Sequence, residues 1–538
     1  MIRPGAATLL FLLPVPQPMS SVAVPALSNH RRLRGLLRAQ KDRILPIGTL
    51  LFSTMLLFSY EPFSRVESGD NALYDYIAQS ILRGQLSYRD VVDVKGPGST
   101  YLSAAAIEIG RLFGAKDVLS IRLLYVVLGG LLCVVTYAVA EIYFGCRLAA
   151  LLAALTPLVV TRYCEFMTSG TEPKLPMMLF GLLSLLMIAR DKPLWAGIWS
   201  MLACLCWQPG LMFTGVAFLI HSRYLTSWRD CRALKVLIGA AIPLAIVVLY
   251  FYWKGALSDL WSYTVVFNYS MAGQKSHRGL AGPLLHLRNV LLRIFGPTSI
   301  ILVLSAVGLL MFLANRLRSK RPLKQALQSP DLFRDAIIMP PVIYLAFCLI
   351  DLQSGPDLIP FFPFIGMFTG WFFIEGSRLI AGKRTVTQGS HSVHLRHVIP
   401  ACALLVIIGL VLIQAHRYGI GDIWTLKREE TEARFVGDLL GADDKMFVHG
   451  SLELLVLLNR ANLNPYVDLD AGKDRYIANK NYGGSFQALI AEIESQAPRI
   501  VAISRLKGIS HRGDLERWVA ERYSPLNLEL LNDVYVRR

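Results

Sequence analysis

Between Glu67 and Tyr101 the chain reads ESGDNALYDYIAQSILRGQLSYRDVVDVKGPGSTY, and the residues best suited to chemistry sit here. Asp70 follows Gly69 and opens a helical pattern; Asp90, Asp93 and Lys95 follow in a turn-rich stretch. A carboxylate can accept the proton of an attacking hydroxyl. An ammonium can hold a phosphate as a point charge. Each type also has a plainer use. Asp70 suits a helix N-cap, Lys95 a solvated loop lysine, and Asp90 and Asp93 a loop kept soluble. Tyr74, Tyr76, Tyr88 and Tyr101 could flank a sugar ring or anchor at lipid headgroups.

Two later segments add candidates. CEFMTSGTEPKLP places Glu172 before Pro173 with Lys174 beside it. The carboxylate suits either the start of a helix or a second acid facing the same cavity. GQKSHRG places Lys275, His277 and Arg278 together, as a phosphate or anionic-headgroup contact or as a solvated loop. No complete metal-ligand set is visible, and the eight cysteines follow no disulfide or zinc spacing.

These residues are carried by a membrane protein. Of 538 residues 54% are hydrophobic and 17% charged, with mean hydropathy +0.45, against about 25% charged in soluble domains. The apolar residues come in blocks that reach the roughly 20 residues of a spanning helix. About eleven spans are predicted, near 44–60, 118–144, 147–163, 173–189, 194–207, 209–222, 236–253, 288–314, 336–351, 358–380 and 398–415. The formal charge of +17 lies in short basic segments between these blocks, such as Arg31 to Arg43 and Arg316 to Lys324. That is a cytoplasmic charge bias, not the basic face that nucleic acid would need. With the basic segments inside, the N-terminus is cytoplasmic. Residues 61–117, 164–172, 254–287 and 352–357, and all after 416, then lie outside.

The predicted architecture is an all-α polytopic membrane domain with amphipathic loop helices and a small C-terminal α/β domain. Residues 1–43 read as a disordered cytoplasmic leader, 44–415 as the membrane domain and 416–538 as the α/β domain. The outer loops contain three predicted interfacial helices: Ala72 to Leu82, Thr100 to Phe113 and Leu257 to Tyr269. The C-terminal region carries strand-length runs at Met446 to Val448, Leu454 to Leu458 and Ile500 to Ile503. A helix is predicted over Phe486 to Ile493.

GDNALYDYIAQSILRGQLSYRDVVDVKGPGSTYL resembles the first outer loop of the GT-C glycosyltransferases, in the dolichyl-phosphate-mannose-protein mannosyltransferase-like group. That group includes lipid A aminoarabinose and rhizobial galacturonosyl lipopolysaccharide transferases. The resemblance implies inverting sugar transfer from a polyprenyl-phosphate donor to a glycolipid, polysaccharide or protein, at the outer face of a bacterial inner membrane. It places the catalytic aspartate on Asp70 and a second acid on Glu172. It also places a donor-phosphate lysine on Lys95. From the residues themselves, Arg278 is expected as a further phosphate contact and Tyr74, Tyr88 and Asn71 as lining the substrate. Where the group often has Glu beside the aspartate, this chain has Asn71. A divalent metal is left open, since some relatives bind one and others need none. The rival readings are a lipid-linked sugar transporter or flippase, and a membrane scaffold. Transport predicts ionisable residues at mid-span, and Glu375 is the least peripheral one here.

Overall fold

The computed structural model describes residues 44–67, 69–222, 231–270, 281–318, 335–382, 391–419, 424–450, 452–531 and 533–538. The predicted leader, residues 1–43, therefore lies outside the described residues. The apolar blocks are helices. Five are long and apolar enough to cross a bilayer: Asp117–Phe144, Arg232–Trp253, Ala281–Arg318, Gly355–Ala381 and His397–Arg417. A sixth is counted if Arg147–Val159 and Thr161–Thr168, which meet at an 83° bend, form one span. The bend follows a 3-10 turn containing Pro157, after which Val160 is extended. Proline lacks the N–H that would continue the helix.

The chain is thus a multi-pass membrane protein with five or six full-length spans among the described residues, where the sequence suggests about eleven. The other apolar segments form helices of 12 to 16 residues: Ile44–Phe58, Lys174–Ala189, Pro193–Cys206, Leu211–Ser222 and Met339–Asp351. These are shorter than the roughly 20 residues a straight crossing takes. The Trp-Gln-Pro-Gly break separates two of them, with Trp207 extended and Gln208–Gly210 a 3-10 turn.

We label the first helices α1 (Ile44–Phe58), α2 (Gly69–Leu82), α3 (Gly98–Leu112) and α4 (Asp117–Phe144). Two predicted interfacial helices correspond to α2 and α3. α2, however, is not a surface helix, because every residue from Ala72 to Ser80 is buried. Its Leu73, Tyr76 and Ile77 share one core with Leu426, Leu454, Leu455 and Ile500 of the C-terminal region. An apolar face that already has a protein partner does not need the bilayer. α3 keeps an exposed apolar end at Ile109, Leu112 and Phe113. The third predicted helix becomes Leu257–Trp261 followed by a π-helical turn over Ser262–Phe267.

A buried ion pair fixes the entry to α2. Arg122 on α4 is fully buried, and its Nη2 donates to Glu67 Oε2 at 2.8 Å. The same guanidinium donates to the carbonyls of Pro62, Arg65 and Val66. Glu67 N in turn donates to Glu429 Oε2 at 2.7 Å, tying this segment to the C-terminal region.

That region carries a small sheet among helices, as the predicted α/β character requires. Its sheet has the order β1 (Met446–His449), β2 (Ile500–Ile503), β4 (Val534–Arg537), β3 (Tyr523–Pro525). β1 and β2 are parallel, with Met446 opposite Ile500, and the other pairs are antiparallel. The helix Phe486–Ser495 falls where expected. Leu454 to Leu458 is not a strand but part of the helix Glu453–Leu458. Those leucines pack on α2, and a run this short does not separate a strand from a buried helix by pattern alone.

Arg122→Leu should destabilise the protein by roughly 3–5 kcal/mol, because it leaves Glu67 and three carbonyls buried and unpaired. Thermal unfolding in detergent would register this as a large fall in midpoint. Adding Glu67→Gln should recover part of the loss.

Candidate active site

The segment between α2 and α3 is pinned from several directions. Val92 N donates to Pro465 O at 2.9 Å, and the Tyr88 hydroxyl donates to Lys95 O at 2.8 Å. Gln208 and Asn268 both donate to Val94 O, at 2.7 and 2.9 Å. Gly96 packs so closely on the end of helix Pro193–Cys206 that an added Cβ would lie 2.1 Å from Leu205 O. The Lys-Gly-Pro-Gly sequence is therefore required by close backbone approach as well as by its turn.

The result is a cavity of about 160 Å³. One wall comes from the first loop, with Asp70, Tyr74, Asp93 and Lys95. Another comes from the C-terminal domain, with Asp468, Asp470 and Lys473. The latter cluster stands near the carboxyl end of the parallel pair β1 and β2. Leu469 N donates to the Nδ1 of His449, the last residue of β1, at 3.2 Å. Arg505 follows two residues after β2, with a left-handed backbone at φ +55°. Ligands commonly bind beyond the carboxyl ends of parallel strands.

Asp70 lies in the first turn of α2, and its Oδ1 accepts from Arg505 Nη1 at 2.8 Å. Protein crowding around the cavity would raise its carboxyl. The Arg505 guanidinium, with help from Lys174, outweighs that and holds it below the usual carboxylate range. The side chain is nonetheless 70% exposed, reaching water through the open cavity.

Lys95 differs from the other cations here. Lys473 is bonded to Asp468 and Asp470, at 2.5 and 2.9 Å. Lys174 is paired with Glu172 at 3.1 Å and Asp357 at 3.5 Å. Lys95 has no carboxylate within salt-bridge distance among the described residues. Its Nζ instead lies 5.3 Å from the centre of the Trp207 ring, whose other cation is Lys174 at 4.9 Å. Burial, the neighbouring Lys174 charge and Lys473 lower the Lys95 pKa, against the pull of Asp357 and Asp70. An ammonium so placed is stabilised by an incoming anion.

The other sequence candidates are placed as follows. Tyr74 lines the cavity and is buried. Asn71 donates to Thr171 O at 2.9 Å, and Thr171 N donates to Asp75 Oδ1 at 3.1 Å, so the loop at Thr171 is fastened to α2. Tyr88 is buried, with φ +74°, and acts on the Lys95 backbone rather than on the cavity. Glu172 is buried; burial raises its carboxyl while Lys174 opposes the rise. It stands behind Lys174, outside the cavity lining. Arg278, Lys275 and His277 lie outside the described residues. Asp93, expected to be a solubilising loop residue, is instead buried at 4% exposure. Its Oδ1 accepts from Lys95 N at 2.9 Å, and this local turn holds it inward. Among the described residues no three His, Cys, Asp or Glu side chains converge to hold a metal ion.

The sequence reading missed Trp207, Asp357, Asp468, Asp470, Lys473 and Arg505. The run Asp-Leu-Asp-Ala-Gly-Lys-Asp at 468–474 was the available signal, as a dense polar cluster in a domain otherwise built on short apolar strands.

No protein-family model and no curated protein sequence matches the chain. Solved structures do. ArnT from Cupriavidus metallidurans bound to undecaprenyl phosphate aligns over 93% of this chain and 98% of its own, at 14% identity and TM-score 0.57. The archaeal oligosaccharyltransferase AglB from Archaeoglobus fulgidus, in complex with an inhibitory peptide and a dolichol-phosphate, aligns over 92% of this chain and 74% of its own. That match has 12% identity and TM-score 0.54. At these identities the comparison shows that the chain shares its fold with these two structures.

Two outcomes follow from this geometry. Gly96→Ala should lower the unfolding midpoint and disturb the Lys95 loop, since its Cβ has no space. Replacing Arg505 by Gln removes the main influence that holds the Asp70 carboxyl down. The pH midpoint for carbodiimide labelling of Asp70 should therefore move upward, and an unchanged midpoint would contradict the pairing.

Proposed function

We propose that this protein is an integral-membrane glycosyltransferase. It moves a sugar from a polyprenyl-phosphate donor to a hydroxyl of an envelope acceptor, whether lipid, polysaccharide or protein, at the outer face of the membrane. The observation that carries this reading is the pairing of opposites in one cavity: an ionised Asp70 and a Lys95 with no carboxylate at salt-bridge distance among the described residues. The first suits a hydroxyl and the second a phosphate. Support comes from the shared fold, seen with undecaprenyl phosphate in ArnT and with a dolichol-phosphate in AglB.

In this reading the acceptor hydroxyl approaches Asp70. Arg505 occupies Oδ1, leaving Oδ2 to receive the proton. The hydroxyl oxygen attacks the anomeric carbon as the bond from that carbon to the phosphate oxygen breaks. The polyprenyl phosphate departs with the bonding electrons, and Lys95 offsets its negative charge. In-line displacement inverts the anomeric centre. A carboxylate held at low pKa is a weak base, which suits late proton transfer, when the hydroxyl has become acidic through bond formation. Glu172 enters through Lys174. With Asp357 it fixes that cation against Trp207 and so sets the potential at Lys95.

The same reading places the N-terminus in the cytoplasm and the C-terminal domain outside a bacterial inner membrane, with the shorter apolar helices completing about eleven crossings. The transporter reading draws little support from Glu375, which pairs with Arg378 at 3.2 Å on its own helix.

Asp70→Asn should lower sugar transfer in isolated membranes by roughly 10²–10⁴-fold without changing expression or unfolding. Activity near wild type would remove the assignment. Lys95→Ala should weaken undecaprenyl phosphate binding while leaving Asp70 labelling intact. Mass spectrometry of envelope glycolipids with and without the protein should reveal the missing sugar.

A further inference from the structure

The mechanism above leaves Asp93 without a task, and its surroundings call for one. Asp93 lines the same cavity as Asp70, Tyr74 and Lys95. Its side chain is more than nine-tenths buried. Oδ1 accepts from Lys95 N, whereas Oδ2 has no hydrogen-bond partner among the described residues. A buried carboxylate oxygen left in this state costs about 1–3 kcal/mol or more. The polar groups nearby are otherwise engaged. Asn268 donates to Val94 O and Thr264 O, the Tyr88 hydroxyl to Lys95 O, and Lys473 to Asp468 and Asp470.

The position relative to Lys95 gives the ligand its chemistry. If Lys95 meets the phosphate, the group covalently joined to that phosphate lies within a few ångströms, and Asp93 is two residues away on the same turn. We infer that Asp93 is a donor-sugar-binding residue, whose carboxylate accepts a hydrogen bond from a ring hydroxyl of the transferred sugar and selects for a sugar bearing that hydroxyl. The inference rests on the glycosyltransferase reading and deepens it. A site built to pair a hydroxyl discriminates strongly against an analogue that lacks one, because the buried acceptor is then left unpaired.

The titration of this group offers a separate readout. Burial raises the Asp93 carboxyl to about 6, with the Lys95 and Val94 backbone N–H groups and the charges of Lys95 and Lys473 limiting the rise. Tyr74 and Tyr88 are the other titratable groups that face it. Asp93 accepts best when ionised, so transfer should rise with pH through about 6. Asp70, held below the usual carboxylate range, would place its own limb lower.

The test uses full-length protein in liposomes. The probes are the phosphopolyprenyl lipid fraction and the whole envelope fraction, with its lipid, polysaccharide and protein, both from cells lacking the protein, and undecaprenyl phosphate alone for binding. Asp93→Asn keeps an oxygen for the Lys95 N–H. It should lower kcat/KM for transfer by about 10- to 150-fold, the loss of one hydrogen bond to a charged group. It should also abolish the limb near pH 6 and leave undecaprenyl phosphate affinity within twofold. Wild-type rate and an unchanged pH profile in Asp93→Asn would overturn the inference while leaving the parent reading standing. So would loss of activity accompanied by a fall in unfolding midpoint and in undecaprenyl phosphate affinity, which is the mark of a merely structural residue. Absence of any transfer by the wild-type protein would remove the glycosyltransferase reading first.

Discussion

Charge inside this protein must be paired, and the arrangement of the first loop follows from that requirement. Arg122 lies within the first long spanning helix with no access to water, so it must be surrounded by acceptors. It draws in Glu67 and three successive backbone carbonyls. This clamps the chain immediately before α2 and fixes where Asp70 can stand. Glu67 N then reaches Glu429 of the C-terminal domain. Burial pushes the Glu429 carboxyl up to about 9, so it sits neutral at physiological pH and adds no unpaired charge to the cluster.

The C-terminal domain is in this sense part of the site rather than an appendage. Its leucines bury the face of α2 that would otherwise need lipid, and its aromatic core takes in Tyr88 and Val92 from the same loop. The Asp468–Lys473 cluster supplies a second wall of the cavity, and Arg505 pairs with Asp70. Three stretches far apart in sequence, near residues 70–95, 172–207 and 468–505, thus set the electrostatics of one small cavity. Lys473 and Lys174 are each held by carboxylates, whereas Lys95 has none at salt-bridge distance among the described residues.

Much of this was legible in the sequence. The 35-residue polar segment stood out because carboxylates and a lysine have no packing role between apolar blocks. The resemblance to the GT-C loop pointed to the fold that the solved structures share. Helices were legible wherever the apolar pattern was long. The short ones at 174–222 were found, but their lengths leave the number of crossings unsettled by length alone. What could not be read was partnership. Nothing local distinguishes Asp93, turned inward by a bond to Lys95 N, from Asp90, which stays paired with Arg89 at the surface. Leu454 to Leu458 has strand length, and only its contact with α2 makes it a helix. Arg505 lies 435 residues from Asp70, and no spacing rule joins them.

The most direct measurement is a structure of the protein with undecaprenyl phosphate bound. The account predicts the phosphate against the Lys95 ammonium, in the cavity that Asp70 and Asp93 line, with the lipid chain leading away toward the apolar helices. A phosphate bound away from that cavity, or on the side of the membrane carrying the basic loops, would contradict it.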